Sequence, residues 1–140
     1  MVKKYLNWEY IELAVTTLAH QITASNLRIT HIKGIPRGGL IPATMLSHKL
    51  GIPMLESDLG RIDEHVLIVD EICDSGKTLE YYYHCGCPIA TIHYKKTASI
   101  TPNFVFESVD TEWIVYPWEK SDAPTVPDYT VGGNADLKEF

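Results

Sequence analysis

Cysteine is scarce in this chain of 140 residues: Cys73, Cys85 and Cys87 are the three present. An odd count without a secretory signal fits reduced thiols better than a disulfide framework. A zinc site on His84, Cys85 and Cys87 would need a second cysteine pair at ligand spacing, and the sequence has none. Positive charge is not in excess either. Lys and Arg total 12 against 18 Asp and Glu, a formal net charge of -6. That excludes the broad basic surface needed to displace counterions from nucleic acid, so any bound anion must be gripped locally. Long apolar runs are missing too. The stretch after Met-Val-Lys-Lys is broken by Asn7, Glu9 and Glu12, so neither a signal-peptide core nor a membrane span can be drawn, and a cytoplasmic setting is expected. Internal repeats and low-complexity tracts are also absent. What is present, 45% hydrophobic and 21% charged residues, is ordinary material for one globular domain of this length.

Ile11, Val15, Leu18, Ala19 and Ile22 recur at three- and four-residue steps, which predicts an amphipathic helix between Trp8 and Ser25. His31 to Ile35 reads as a strand; after the glycine turn Pro36-Arg37-Gly38-Gly39, the positions Ile41, Met45, Leu46 and Leu50 predict a helix that stops at Gly51. Ile52 to Leu55 is a further strand candidate, followed by a short polar connection from Asp58 to His65. Val66-Leu67-Ile68-Val69 has no polar alternation, as expected of a strand buried on both faces in a parallel sheet. A turn from Glu71 to Gly76, a helix from Lys77 to His84, and strands at Ile89 to Tyr94 and Phe104 to Val109 complete the pattern. Alternating strands and helices predict an α/β fold: a single domain with a mainly parallel sheet flanked by helices. The domain is expected to span residues 1–120, with an irregular tail rich in Pro, Gly and Asp at 121–140.

The segment Val66 to Leu79 carries the most chemical information. A buried strand leads into two adjacent carboxylates, Asp70 and Glu71, where ligands gather in open α/β sheets. Asp74-Ser75-Gly76-Lys77-Thr78 then forms a loop entering a helix, where backbone amides converge and the hydroxyls of Ser75 and Thr78 add donors, a nest for a monophosphate. A nucleoside-triphosphate P-loop would need a glycine five residues before Gly76, where Glu71 stands, so that reading fails. The plainer alternative makes Asp70 and Glu71 a solvated strand end and Asp74 a helix N-cap.

An apolar strand, two acids and an Asp-Ser-Gly-Lys-Thr loop together resemble the phosphoribosyl pyrophosphate signature of the type I phosphoribosyltransferase family. The resemblance implies that Asp70 and Glu71 bind the ribose hydroxyls directly or through Mg²⁺, that Asp74 to Thr78, Lys77 included, holds the 5′-phosphate, and that Asp74 manages the proton on N7 of the base. Gly34 to Pro42 resembles the family's pyrophosphate loop, which assigns Arg37 and the amides of Gly38 and Gly39 to the leaving group and implies a non-proline cis peptide between Pro36 and Arg37. Similarity to the purine branch implies that Lys95, with Lys96 in reserve, donates to a 6-oxygen. It further implies that Trp113 stacks on the purine, that the backbone at Ile114 meets its edge, and that Glu119 lies near the pyrophosphate and a second Mg²⁺. Trp118 is expected to pack in the core.

The implied function is transfer of ribose 5-phosphate from phosphoribosyl pyrophosphate to a 6-oxopurine, in a homo-oligomer, dimer or tetramer. Neither nucleic acid nor membrane is an expected partner. Family members close a long flexible loop over the reacting centre, and Asp58 to His65 is too short for that device. Either a neighbouring subunit or the Pro-rich tail closes the site, or turnover is lost. In the latter case the chain is a non-catalytic sensor of phosphoribosyl pyrophosphate or nucleotide. Use of another base is a weaker alternative.

Overall fold

The computed structural model describes residues 2–56 and 61–119. Two short strands and a four-stranded sheet hold the architecture: β1 (Lys3–Tyr5), α1 (Trp8–Ser25), β2 (His31–Gly34), α2 (Leu40–Leu50), β3 (Val66–Cys73), α3 (Lys77–His84), β4 (Ile89–Lys95), β5 (Phe104–Val109) and β6 (Trp113–Val115). The larger sheet runs β2-β3-β4-β5 and every pairing in it is parallel. β1 and β6 pair parallel in a separate two-stranded sheet.

α1 begins where the Asn7 side chain accepts the Tyr10 amide at 2.9 Å, the usual device for an orphaned first-turn donor. It ends at Asn26 in the left-handed conformation, φ 60°. Its buried stripe is Ile11, Ala14, Val15, Leu18, Ala19 and Ile22. Pro42 is tolerated in α2 because it falls in the first turn, where its missing N–H has no helical partner to lose.

Successive residues of β3 face opposite sides of the sheet, so its apolar run feeds two cores. Leu67 and Val69 join Ile32, Ala90, Ile92 and the inner faces of α1 and α2. Val66 and Ile68 join Ile89, Leu79 from α3, and Ile100. Cys73 and Cys87 belong to this second core. All three cysteines are free, and burial pushes the Cys73 thiol up to about 11, with Asp74 adding to the rise.

Two expectations are corrected, and one strand is new. Ile52 to Leu55 forms no strand, only a bridge between Ile32 and Met54; Pro53 has no N–H to donate to a ladder, although its carbonyl accepts from Ile32 at 3.0 Å. The turn does not begin at Glu71. β3 runs on to Cys73 because its β4 side stays paired through Cys73 and Tyr94. β1 was not foreseen, since Lys3-Lys4-Tyr5 has no apolar alternation. Part of the Asp58 to His65 connection and all of the 121–140 tail lie outside the described residues.

Leu18 is fully buried on α1, whereas Leu13 on the same helix is 58% exposed. Leu18→Ala is expected to cost about 2–5 kcal/mol through lost burial and the cavity left behind. Leu13→Ala should stay within about 0.5 kcal/mol. Urea unfolding of both variants checks the contrast.

Candidate active site

β2, β3 and β4 bring their carboxyl ends to one edge of the sheet; predicted site residues follow β2 and β3, and Lys95 ends β4. After β2 the chain turns through Ile35 to Gly39, closed by the Gly39 amide donating to the Ile35 carbonyl at 2.9 Å. The Ile35 amide donates to Val69 at 2.9 Å, which lays the turn along β3. A side chain at Gly39 would meet the carbonyl oxygens of Ile35 and Val69 at 2.6 Å and the Asp70 Cα at 2.9 Å, so only glycine permits this approach. The peptide between Pro36 and Arg37 is cis.

Asp70 and Glu71 lie inside β3 rather than beyond it, 5% and 8% exposed. They are not a solvated strand end. One Asp70 oxygen accepts the Glu71 amide at 2.9 Å. A Cβ added at Gly38 would overlap the Glu71 carboxylate, so the second acid of the pair rests against the turn after β2. The structure therefore brings Gly38, Gly39, Asp70 and Glu71 together.

Asp74 to Gly76 leads into α3, whose N-cap is Gly76 at φ 90° and not Asp74. That angle and the approach of Ser99, whose amide lies 2.9 Å from a Cβ placed there, both require glycine. The Ser75 hydroxyl accepts the Lys77 amide at 3.2 Å. Sequence reasoning missed the brace behind this loop: Ser99 donates its amide to the Ser75 carbonyl at 2.7 Å and its hydroxyl to Glu80 at 2.5 Å. Both α2 and α3 start at glycine caps with no side-chain acceptor. Both helix N-termini thus open on the same edge, each favouring negative charge.

Lys95 ends β4 with its ammonium 3.3 Å from Asp74, joining two predicted residues from different elements. Lys96 is exposed in the following turn. Trp113, half-buried, and Ile114, buried, form β6 against β1. Backbone amides at Glu112 and Asp110 hold the Glu112 carboxyl below its usual range, with Lys4 and Lys95 adding. Trp118 stacks on Tyr116 at 5.0 Å between ring centres and packs against the core. Glu119 accepts the Tyr116 amide at 2.8 Å and closes that turn. Among the described residues no three His, Cys, Asp or Glu side chains cluster to hold a metal, so Glu119 is not brought into one group with Asp70 and Glu71.

Sequence reasoning also missed His93, fully buried on β4. Its ring bonds Tyr10 on one side and Tyr116 on the other, and Tyr116 reaches the main chain of Glu71. Burial pushes its pKa down to about 4, outweighing the opposing pull of Glu107; Glu107 is 44% exposed, so water screens it. Burial, with Glu71, Glu119 and Asp70 adding, raises the Tyr116 phenol above its ordinary value.

Two carboxylates on β3, the glycine-capped starts of α2 and α3 and a lysine on β4 thus share one edge of the parallel sheet. No protein-family model matches the chain. Relatives do. The purine phosphoribosyltransferase of Pyrococcus horikoshii Ot3 is 33% identical, with 89% of this chain aligned to 99% of that one and a TM-score of 0.75. The xanthine-guanine phosphoribosyltransferase of Cereibacter sphaeroides is 25% identical over 82% of this chain and 86% of its own length. The xanthine-guanine-hypoxanthine phosphoribosyltransferase of Helicobacter pylori shares the fold at 20% identity and a TM-score of 0.71, covering 84% of this chain and 93% of that one. The chain belongs to the type I phosphoribosyltransferase family. Within that family it falls among the purine phosphoribosyltransferases, enzymes of the glycosyltransferase type.

The buried His93 generates a prediction. Its folded pKa of about 4 lies below the unfolded value near 6.5, so the unfolded chain binds more protons between them. The stability it contributes is present above about pH 6.5 and is lost as pH falls toward 4. Between about pH 7.5 and 4.5 this amounts to roughly 2–3 kcal/mol. Urea unfolding at both pH values should show wild type losing more stability than His93→Gln by that margin; equal losses would count against it.

Proposed function

We propose that the chain transfers the 5-phosphoribosyl group of phosphoribosyl pyrophosphate to N9 of a 6-oxopurine, releasing pyrophosphate. The observation that carries this reading is the pairing of Lys95 with Asp74 at 3.3 Å beside the glycine-capped start of α3. O6 and N7 of a 6-oxopurine stand side by side on one edge of the ring. An ammonium only donates, so Lys95 suits O6, and a carboxylate accepts, so Asp74 suits the proton at N7. A 6-amino group offers Lys95 nothing to bind, which makes adenine a poor substrate.

The remaining roles follow from charge. As the bond from ribose C1 to pyrophosphate breaks, the sugar gains oxocarbenium character and the leaving group gains negative charge. Arg37 and the Gly38 amide, ahead of α2, would receive pyrophosphate, while the Gly39 amide that the resemblance also assigns there is engaged by the Ile35 carbonyl. Ser75, Gly76, Lys77 and Thr78, at the start of α3, hold the 5′-phosphate. Fixing both phosphates and the base turns the transfer into an oriented step within one complex. Trp113 stacks on the base and the backbone at Ile114 meets its edge.

Two adjacent carboxylates with substrate oxygens and water to complete the shell suit Mg²⁺, which prefers few protein ligands. Asp70 and Glu71 would hold it through the ribose hydroxyls, and the resemblance assigns Glu119 to the surroundings of pyrophosphate and a second ion. When bound, Mg²⁺ supplies charge neutralisation for the leaving group. A domain spanning 1–120, homo-oligomeric assembly and a cytoplasmic setting belong to the same proposal and are supported by the family resemblance.

The test is nucleotide formation from phosphoribosyl pyrophosphate and Mg²⁺ with hypoxanthine, guanine, xanthine or adenine. The 6-oxopurines should react and adenine should not. Asp74→Asn is expected to lower kcat by about 10²–10⁴, and Lys95→Met to lower kcat/KM for the 6-oxopurine by about 10- to 100-fold. If no base reacts while calorimetry still shows phosphoribosyl pyrophosphate bound, the chain is a sensor and this proposal fails.

A further inference from the structure

Four contacts link Glu107 on β5 to the main chain of Glu71 on β3 through three side chains. The Tyr10 hydroxyl lies 2.5 Å from Oε1 of Glu107 and 2.8 Å from Nε2 of His93. Nδ1 of His93 lies 2.7 Å from the Tyr116 hydroxyl, which is 3.1 Å from the Glu71 carbonyl oxygen. His93 and Tyr116 are both buried.

That carbonyl has a reason to need a side-chain donor. The Ile68 amide donates toward β4, to Pro88, while the Val69 carbonyl accepts from Ile35 on the β2 side. The strand's two-residue alternation turns the Glu71 carbonyl to the β2 side as well. β2 ends at Gly34, opposite Val69. The Tyr116 hydroxyl donates to the Glu71 carbonyl from the turn after β6.

Counting protons exposes a conflict. The two ends of the chain, a carbonyl and a carboxylate, only accept, so each of the four contacts must find its proton in the three side chains between them. Glu107 is kept ionised by the Tyr10 hydrogen bond and by Lys4, whose ammonium lies 3.6 Å away. The two tyrosines and a neutral histidine supply three protons, one too few for four contacts.

The arrangement of the His93 proton decides which contact goes without. With the proton on Nδ1, the ring donates to Tyr116, and the Tyr116 hydroxyl is directed at Glu71; Tyr10 must then choose between His93 and Glu107. With it on Nε2, the ring donates to Tyr10, Tyr10 donates to Glu107, and Tyr116 is divided between Nδ1 and the Glu71 carbonyl. The charged acceptor makes the stronger hydrogen bond and draws the chain toward the second arrangement.

We propose that His93 is a positioning residue for Glu71, acting through the Tyr116 hydroxyl, and that Glu107 weakens this hold by drawing the chain's protons to its far end. The proposal rests on the reading of Glu71 as a ligand of the ribose.

Glu107→Gln tests it at a half-exposed position where folding is not at risk. A glutamine amide donates to Tyr10, which frees the Tyr10 proton for Nε2 and supplies the missing fourth proton. In the unliganded protein, ¹⁵N NMR should find His93 of the variant with its proton on Nδ1, and His93 of wild type with a substantial Nε2–H population. By calorimetry, Glu107→Gln should bind Mg²⁺ and phosphoribosyl pyrophosphate about threefold more tightly, and Tyr116→Phe about tenfold more weakly. The gain from Glu107→Gln should vanish in the Tyr116→Phe background, which a merely structural role would not produce. An unchanged His93 tautomer, or a gain that persists without the Tyr116 hydroxyl, overturns the proposal while leaving the function intact. A wild type that binds no phosphoribosyl pyrophosphate, with the tautomer shift present, overturns instead the role given to Glu71.

Discussion

Because no side chain separates Gly39 from the backbone of β3, the turn after β2 lies directly on Val69 and Asp70, and the approach leaves no room even for a Cβ. Two consequences follow from that contact. It starts α2 at the edge of the sheet from a glycine cap, and it puts Gly38 against the carboxylate of Glu71. An anion-favouring helix start would draw a simple anion that the acid pair would repel. A sugar carrying hydroxyls on one side and phosphates on the others reconciles them, since the diol suits the carboxylates and the phosphates suit the helix starts.

β3 outlasts β2, and the site is built on the overhang. Past Val69 the strand keeps β4 on one side and loses β2 on the other, which sets Glu71 against the turn after β2 while its main chain remains anchored. A buried carbonyl is expensive to leave unpaired. Tyr116 meets that need from the turn after β6, so the small β1–β6 sheet is tied to the acid pair through one hydroxyl. The same turn carries Trp118 in the core and is closed by Glu119.

Much of this was legible in the sequence where local pattern decides. The three- and four-residue steps of Ile11, Val15, Leu18 and Ile22 mark α1 to its observed ends, Trp8 and Ser25, and the unbroken run Val66 to Val69 marks β3 as the central strand. The acid pair and the glycine loop were readable because their chemistry is concentrated in consecutive residues. The strand's end was not, since Asp70 and Glu71 look like a boundary when only polarity is considered, and pairing with β4 carries the strand through them. Ser99 escaped notice because its work is done by a main-chain amide, which any residue type has. The Tyr10, His93 and Tyr116 chain escaped because its members come from α1, β4 and the turn after β6, and no local spacing announces a contact that only the fold creates.

The central claim is that the backbone from Ser75 to Thr78 cups a sugar phosphate while Asp70 and Glu71 hold the sugar. A crystal structure of the protein with phosphoribosyl pyrophosphate and Mg²⁺ tests it most directly. The account predicts the 5′-phosphate against the amides at the start of α3 and the ribose hydroxyls at the two carboxylates. A phosphate bound elsewhere, with the α3 start empty and Asp70 and Glu71 turned away from the sugar, would contradict it.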